Sequence, residues 1–337
     1  MKNNDKTGRS LIRAIRGYRP FGLIVALVLL LIVAAVLTPG FFTFSSLSSM
    51  LTNNATYAVL AVGILFVLLT GGIDISVGSV LAVSGVTVTR LMVAAPDVPA
   101  IVWVAVGIVV GGLCGAVNGL LIGKLHIAPL IVTLGTMYAF RGLSYVISGG
   151  KWIFTNQFTA GFLAIAQRNI LGLNSIIWWA LALLILTGVF LGYTRPGRRL
   201  YAIGTSEESA VIAGIRTGNV SVMAYILCGL CAGLAGVLYA SNYTLVSADI
   251  GNGYEMTAIA ICVLGGVSIT GGRGRVDGVG IAILLMSVIT YLLSLLPGFN
   301  VWKESLQGGI ILVALLINLF NNRLADKRAL EERGKRI

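Results

Sequence analysis

Four ionisable side chains stand in or beside the long apolar runs of this chain: Asp74, Arg141, Glu255 and Asp277. A charge at mid-membrane depth costs about 3 kcal/mol, so each such residue marks either a functional group or a compensating pair. The chemistry open to them is that of a proton or cation relay, or of contact with a polar solute. Asp74 leans toward function because it lies in a glycine-rich break, LTGGIDISVGSVL (69–81). Ser76, Asn118, Thr133, Thr136 and Asn54 add neutral donors and acceptors on the neighbouring apolar segments. The sequence holds no H-E-x-x-H, no carboxylates at metal-ligand spacing and no nucleophile–base arrangement. It also has no G-x-x-x-x-G-K-[ST] loop to cradle ATP phosphates. No metal or cofactor is expected on this chain, and its single histidine, His126, stands alone at a helix start. Cys228 and Cys231 form a C-x-x-C inside an apolar run without a second ligand pair. Like Cys114 and Cys262, they read as small packing residues.

The elements that must position these groups are membrane helices. Hydrophobic residues make up 57% of the chain and charged residues 11%, with a mean hydropathy of +0.95. Soluble domains carry about a quarter charged residues, so the chain reads as an all-α integral membrane protein. Apolar runs at 21–37, 55–70, 76–93, 99–123, 127–148, 175–191, 220–241, 255–270, 276–296 and 304–320 suggest about ten spans. The first run is too long for a signal-peptide core and lacks a convincing cleavage site, so it is taken as a retained span. Three regions follow: a basic N-terminus (1–20), one transmembrane domain (21–320) and a basic tail (321–337). Ten spans put both termini on one side, which then holds nineteen Lys and Arg against four on the other. By the positive-inside rule that side is cytoplasmic. The net charge of +12 is thereby explained by topology, with the lipid bilayer and not nucleic acid as the partner.

The segment 193–219, YTRPGRRLYAIGTSEESAVIAGIRTGN, divides the two hydrophobic halves and carries the clustered charge Arg195, Arg198, Arg199, Glu207, Glu208 and Arg216. Thr205 can cap a short helix and Glu208 complete a capping box, with both acids in the first turn where the helix dipole favours them. Gly214 fits the left-handed position after the helix. A helix of roughly eight residues, about 12 Å long, is not stable alone. It must be anchored at its ends or docked on something, unless the segment is simply a solvated loop.

Two sequence regularities concern packing. Gly107, Gly111, Gly115, Gly119 and Gly123 recur at every fourth position, and Gly229 and Gly233 make a shorter row. Such rows let helix backbones approach closely in lipid. At an offset of 200 residues, LTGGIDISVGSVL (69–81) is echoed by ITGGRGRVDGVGI (269–281), suggesting a weak internal repeat. Both copies place what reads as a short apolar run before a glycine-rich break, a pattern that in repeat-built transporters points to a solute path. Whether 71–78 forms a turn or a broken helix is left open.

Three stretches in order, GGIDISVGSVLAVSGV (71–86), GRRLYAIGTSEESAVIAGIRTGNV (197–220) and GYEMTAIAICVLGGVSITGGRGRVDG (253–278), resemble the membrane permeases of ribose-type (monosaccharide) bacterial ATP-binding cassette importers. Arg141 in FRGLSYVISGG falls where such permeases carry an R-G pair, and GGKWI (149–153) is similar to the rhamnose and autoinducer-two branches. The resemblance covers about 21–320. It implies a homo- or heterodimeric permease in the cytoplasmic (inner) membrane. It also implies separate ATPase subunits that bind ATP and Mg²⁺, and a periplasmic or lipid-anchored sugar-binding protein. The central segment would be the coupling element, matched at Glu207, Glu208, Ala213 and Gly214. Val211 departs from the pattern, because relatives often carry arginine there, and this puts an ion pair with the ATPase in doubt.

Two readings from different classes follow. In the first, the chain is an importer subunit without enzymatic activity, moving a monosaccharide or similar polyol-like solute along a path near Asp74, Ser76, Asn118, Arg141 and Glu255. In the second, it is a stand-alone ion-coupled secondary transporter or channel with Asp74 or Glu255 as relay. A membrane-embedded enzyme would need a constellation that the sequence lacks.

Overall fold

The computed structural model describes residues 21–243 and 245–295 with isolated positions beyond, and the account below concerns these. In chain order the main elements are α1 (Phe21–Leu37), α2 (Phe44–Leu69), α3 (Val77–Ala94), α4 (Ala100–Gly123) and α5 (Pro129–Ser148). A two-residue strand β1 (Ile153–Phe154), α6 (Ala160–Gln167), β2 (Asn169–Ile170) and β3 (Leu173–Asn174) lead into α7 (Ser175–Tyr193). The second half comprises α8 (Arg195–Thr205), α9 (Glu207–Ile212), α10 (Thr217–Asn242), β4 (Leu245–Val246), α11 (Tyr254–Leu264) and α12 (Val276–Leu295).

Among the described residues, α2, α3, α4, α5, α7, α10 and α12 are the seven helices long and apolar enough to cross a membrane. The apolar helices α1 and α11 are shorter, and the expected span at 304–320 lies outside the described residues. The chain is thus a mainly helical, multi-pass membrane protein, while the count of ten stays an expectation.

One sequence expectation needs correction. The run expected at 55–70 is the second half of a 26-residue helix that starts at Phe44. Its first three turns, with Ser45, Ser46, Ser48, Ser49, Thr52, Asn53 and Asn54, are too polar to register as apolar, yet the Thr43 hydroxyl caps them by accepting from Ser46 N at 3.3 Å. Only the second glycine break therefore follows a short helix, the 11-residue α11. The weakly apolar stretch 151–174 lies between α5 and α7. It holds α6, a tight β2–β3 hairpin turning at Leu171 and Gly172 (φ 54° and 85°), and β1, which pairs antiparallel with β4.

The fold is organised around α10, which packs on α4, α3 and α2. The α4–α10 seam is where the two glycine rows meet. A Cβ added at Gly111 would collide with the Gly229 carbonyl and lie 2.5 Å from Gly233 Cα, and one at Gly229 would lie 2.8 Å from Gly115 Cα. Further along, Gly119 faces Val222 and Gly123 faces Gly218. No hydrophobic force draws helices together in lipid, so dispersion between closely apposed backbones must supply the attraction. The opposite surfaces of α4 and α7 expose Leu113, Val117, Leu120, Leu181, Ile185 and Val189, an apolar coat suited to acyl chains. All four cysteines are free and buried, and Cys262 Sγ donates to Ala61 O across the α2–α11 contact.

Candidate functional site

One end of the bundle gathers the basic residues and the breaks. The Thr194 hydroxyl caps α8, accepting from Gly197 N at 3.1 Å, and Pro196 occupies the first turn. The helix is amphipathic: Gly197, Leu200 and Ile203 face the protein, while Arg195, Arg198 and Arg199 are exposed. A break at Ser206 separates it from α9, whose cap is one residue later than the sequence suggested. Ser206 Oγ, and not Thr205, accepts from Ser209 N at 3.2 Å. The Thr205 hydroxyl instead donates back to Tyr201 O and closes α8. The helix that follows is six residues long, with Glu207 and Glu208 exposed in its first turn. Gly214 (φ 76°) ends it in a Schellman arrangement, Gly214 N donating to Val211 O and Ile215 N to Ala210 O, each at 2.9 Å. Ala213, Gly214 and Val211 are exposed, so α9 presents its acidic start and its glycine end to the outside of the bundle.

The α8 C-terminus sits where the two echoed Thr-Gly-Gly turns meet. Gly71 (φ 80°) and Gly271 (φ 87°) both need a backbone conformation that only glycine adopts without strain. A Cβ at Gly271 would fall 2.9 Å from both Gly71 Cα and Gly204 Cα. A Cβ at Gly204 would collide with Leu69 O and Gly272 N, the two atoms joined by a 3.0 Å hydrogen bond between the turns. The Tyr201 hydroxyl donates to Gly274 O at 3.1 Å, and burial pushes its phenol above the ordinary value, keeping it protonated as a donor. Three glycines from the two halves and from α8 thus form one joint, immediately before α9.

The first break continues inward from this joint. Residues 71–76 are not helical, and Asp74 lies buried at 2% exposure between α2 and α3. Its Oδ1 accepts from Ser76 N (2.9 Å) and Ser76 Oγ (2.7 Å), and Asn118 Nδ2 donates to Ser76 Oγ at 2.8 Å. The Ile73 carbonyl beside it accepts from the Tyr225 and Thr133 hydroxyls. Among the described residues, Asn118 Oδ1 has no partner. Asp74 and Ser76, neighbours in the break, and the distant Asn118 on α4 are therefore one sealed polar cluster.

Arg141 and Glu255 belong to a second cluster. The guanidinium of Arg141 on α5 donates to the Ala248 and Ile250 carbonyls, both at 2.7 Å, while the Tyr145 hydroxyl donates to Asp249 Oδ2 at 2.6 Å. Arg141 thus clamps the β4–α11 loop. Glu255 accepts from Gly253 N, and both Glu255 and the Gly251 carbonyl crowd Gly78 on α3. Asp277 is held apart by Arg275 at 2.8 Å on the basic end. Among the described residues no three His, Cys, Asp or Glu side chains gather in a way that could hold a metal ion.

Comparison with known proteins matches residues 46–315 to the family described as branched-chain amino acid transport system / permease component. The chain belongs to this permease family. Relatives include a ribose import permease of Bacillus subtilis, 38% identical over 88% of this chain and 92% of the relative. An L-arabinose transport system permease of Escherichia coli is 36% identical (88% and 89%), and an autoinducer 2 import permease of Yersinia pseudotuberculosis is 31% identical (93% and 88%). No solved structure matches.

In the permease, two features of the site escaped the sequence reading. One is α8 as a helix separate from α9, signalled by Thr-x-Pro-Gly at 194–197 and by the apolar spacing Leu200, Ile203. The other is Gly204, which nothing local distinguishes from the other glycines. The Asp74 cluster makes a testable prediction. Asp74→Asn keeps the acceptor for Ser76 and removes a buried titratable carboxyl that has no cationic partner among the described residues, so the unfolding midpoint in detergent is expected to hold or rise. Asp74→Ala leaves Ser76 N unpaired and should cost about 1–3 kcal/mol.

Proposed function

We propose that this permease is the membrane-spanning subunit of an ATP-binding cassette importer that carries a monosaccharide, or a similarly small polyol-like solute, into the cytoplasm. It sits in the bacterial cytoplasmic (inner) membrane with the basic end and both termini inside, as the charge asymmetry supports. Separate ATPase subunits, which bind ATP and Mg²⁺, engage α9 at Glu207, Glu208, Ala213 and Gly214. A second permease completes the assembly, and a periplasmic or lipid-anchored binding protein delivers the solute. The observation carrying this reading is the junction at Gly204: a push on the exposed α9 reaches the turns of both halves through backbone contact, with no flexible side chain between. The names of the relatives, for ribose, L-arabinose and autoinducer 2, support a small polyhydroxylated cargo. Such a solute is matched by neutral donors and acceptors such as Ser76, Asn118 and Thr133, which become reachable only when the α3, α4 and α5 packing opens.

The acidic turn of α9 provides the test. In the Glu207→Gln/Glu208→Gln permease, reconstituted with its ATPase, stimulation of ATP hydrolysis by loaded binding protein is expected to fall about tenfold, the loss of two charge-assisted contacts. Sugar affinity of the binding protein and thermal stability of the isolated permease should not change, because both side chains are exposed. Undiminished stimulation would contradict the assignment. The buried Asp74 carboxylate favours a second reading, a stand-alone ion-coupled carrier, which predicts gradient-driven uptake by this chain alone.

A further inference from the structure

At the end of the bundle remote from the glycine joint lies a cavity of about 260 Å³. The helices α2, α10 and α12 meet the basic end at Leu69, Thr217 and Val276, and bring their other ends together around this space. Its walls are Tyr57, Tyr243, Tyr254 and Tyr291, and its polar edge is Asn53, Asn54, Thr290 and Ser294. Among the described residues, no charged side chain lines it.

The aromatic walls are fixed by mutual packing. The rings of Tyr57 and Tyr254 lie 4.2 Å apart at 34°, those of Tyr239 and Tyr243 4.4 Å apart at 33°, and Tyr239 meets Tyr254 edge-on at 6.0 Å. The polar groups are held as firmly. Thr290 Oγ1 donates to Asn54 Oδ1 at 2.8 Å, and Asn54 Nδ2 donates to Met50 O at 2.9 Å. A primary amide has two N–H donors, so Asn54 keeps a second one for a ligand. The volume falls just below the roughly 300–1,000 Å³ of drug-sized sites, as expected for a smaller guest.

A monosaccharide ring carries apolar C–H faces and hydroxyls around its edge. Tyrosine rings take the faces, while amide and hydroxyl groups take the edge. A charged solute would find no counter-ion here among the described residues, and a purely apolar one would leave the second Asn54 N–H without a partner. We infer that this cavity binds a neutral polyhydroxylated ring of monosaccharide size, on the bundle face opposite the glycine joint. The ligand class follows from the lining and does not rest on coupling to an ATPase, so either idea stands if the other fails.

The test is saturation-transfer difference NMR on the full chain in lipid nanodiscs, with D-ribose as probe and empty nanodiscs as blank. Saturation of the D-ribose ring protons is expected, with displacement by L-arabinose. It should be lost in Ser294→Trp and in Asn53→Trp, two exposed rim positions where a large ring fills the space without entering the core. Leu181→Trp, on the lipid-facing surface of α7, should keep the signal. Absence of saturation in the parent chain overturns the inference. So does its survival in both rim variants, or equal saturation of cyclohexanol, which would mark an apolar crevice.

Discussion

Alanine at Gly204 is expected to cut ATP-driven uptake sharply while the permease still assembles with its ATPase. The added Cβ collides with Leu69 O and Gly272 N, which are main-chain atoms bonded to each other, so no rotamer change relieves the clash. Relief requires α8 to lift off the two turns. Overpacking of this kind costs about 1–3 kcal/mol, which a bundle with this many helix contacts survives. The contact between α8 and the two halves does not. The readout that separates transmission from mere destabilisation is the number of ATP molecules hydrolysed per solute delivered into proteoliposomes. That ratio should rise steeply in Gly204→Ala and stay at the parent value in Gly135→Ala, whose new methyl group meets open space. Unchanged uptake by Gly204→Ala would remove the joint from the mechanism.

The second large effect is expected at the α4–α10 seam. Gly111→Leu drives a branched side chain into the Gly229 carbonyl and Gly233 Cα, again backbone against backbone. Separating the helices forfeits dispersion along the whole glycine row, and in lipid no hydrophobic gain compensates. A loss of at least about 2 kcal/mol is expected in reversible unfolding by denaturing detergent. Gly111→Ala and Gly229→Ala oppose each other across the seam, so the double variant should cost less than the two singles together, because the first substitution already opens the gap. Simple addition of the two costs would show that the rows do not act as one contact.

These effects show which parts of the architecture could be read from residue types. The glycine row of α4 was legible because small residues at every fourth position have few other uses in a membrane helix. The shorter Gly229–Gly233 row was visible as well, but that the two rows face each other, and in what register, was not, since the contact joins residues about a hundred positions apart. The helix α9 was foreseen from its acids and Gly214, but its cap was misplaced by one residue, because Thr205 and Ser206 are both good caps and only the α8 hydrogen bond from Thr205 to Tyr201 O decides between them. The start of α2 was lost to its serines and asparagines. Asp74 and Ser76 announced themselves by the glycines around them. Their union with Asn118, and the separate gathering of Arg141 and Glu255 around the β4–α11 loop, needed three dimensions. Gly204 carried no local signal, because its meaning lies in two turns about 70 and 130 residues away.

The most direct test of the central claim, that solute movement is driven through α9 and the glycine joint by a separate ATPase, is uptake of labelled sugar into proteoliposomes made with and without that ATPase. With the ATPase, binding protein and internal ATP at hand, accumulation against the gradient is expected; with the permease alone, only equilibration or nothing, whatever proton or sodium gradient is imposed. Concentrative uptake by the permease alone under an ion gradient would contradict the account and return Asp74 to the role of ion relay.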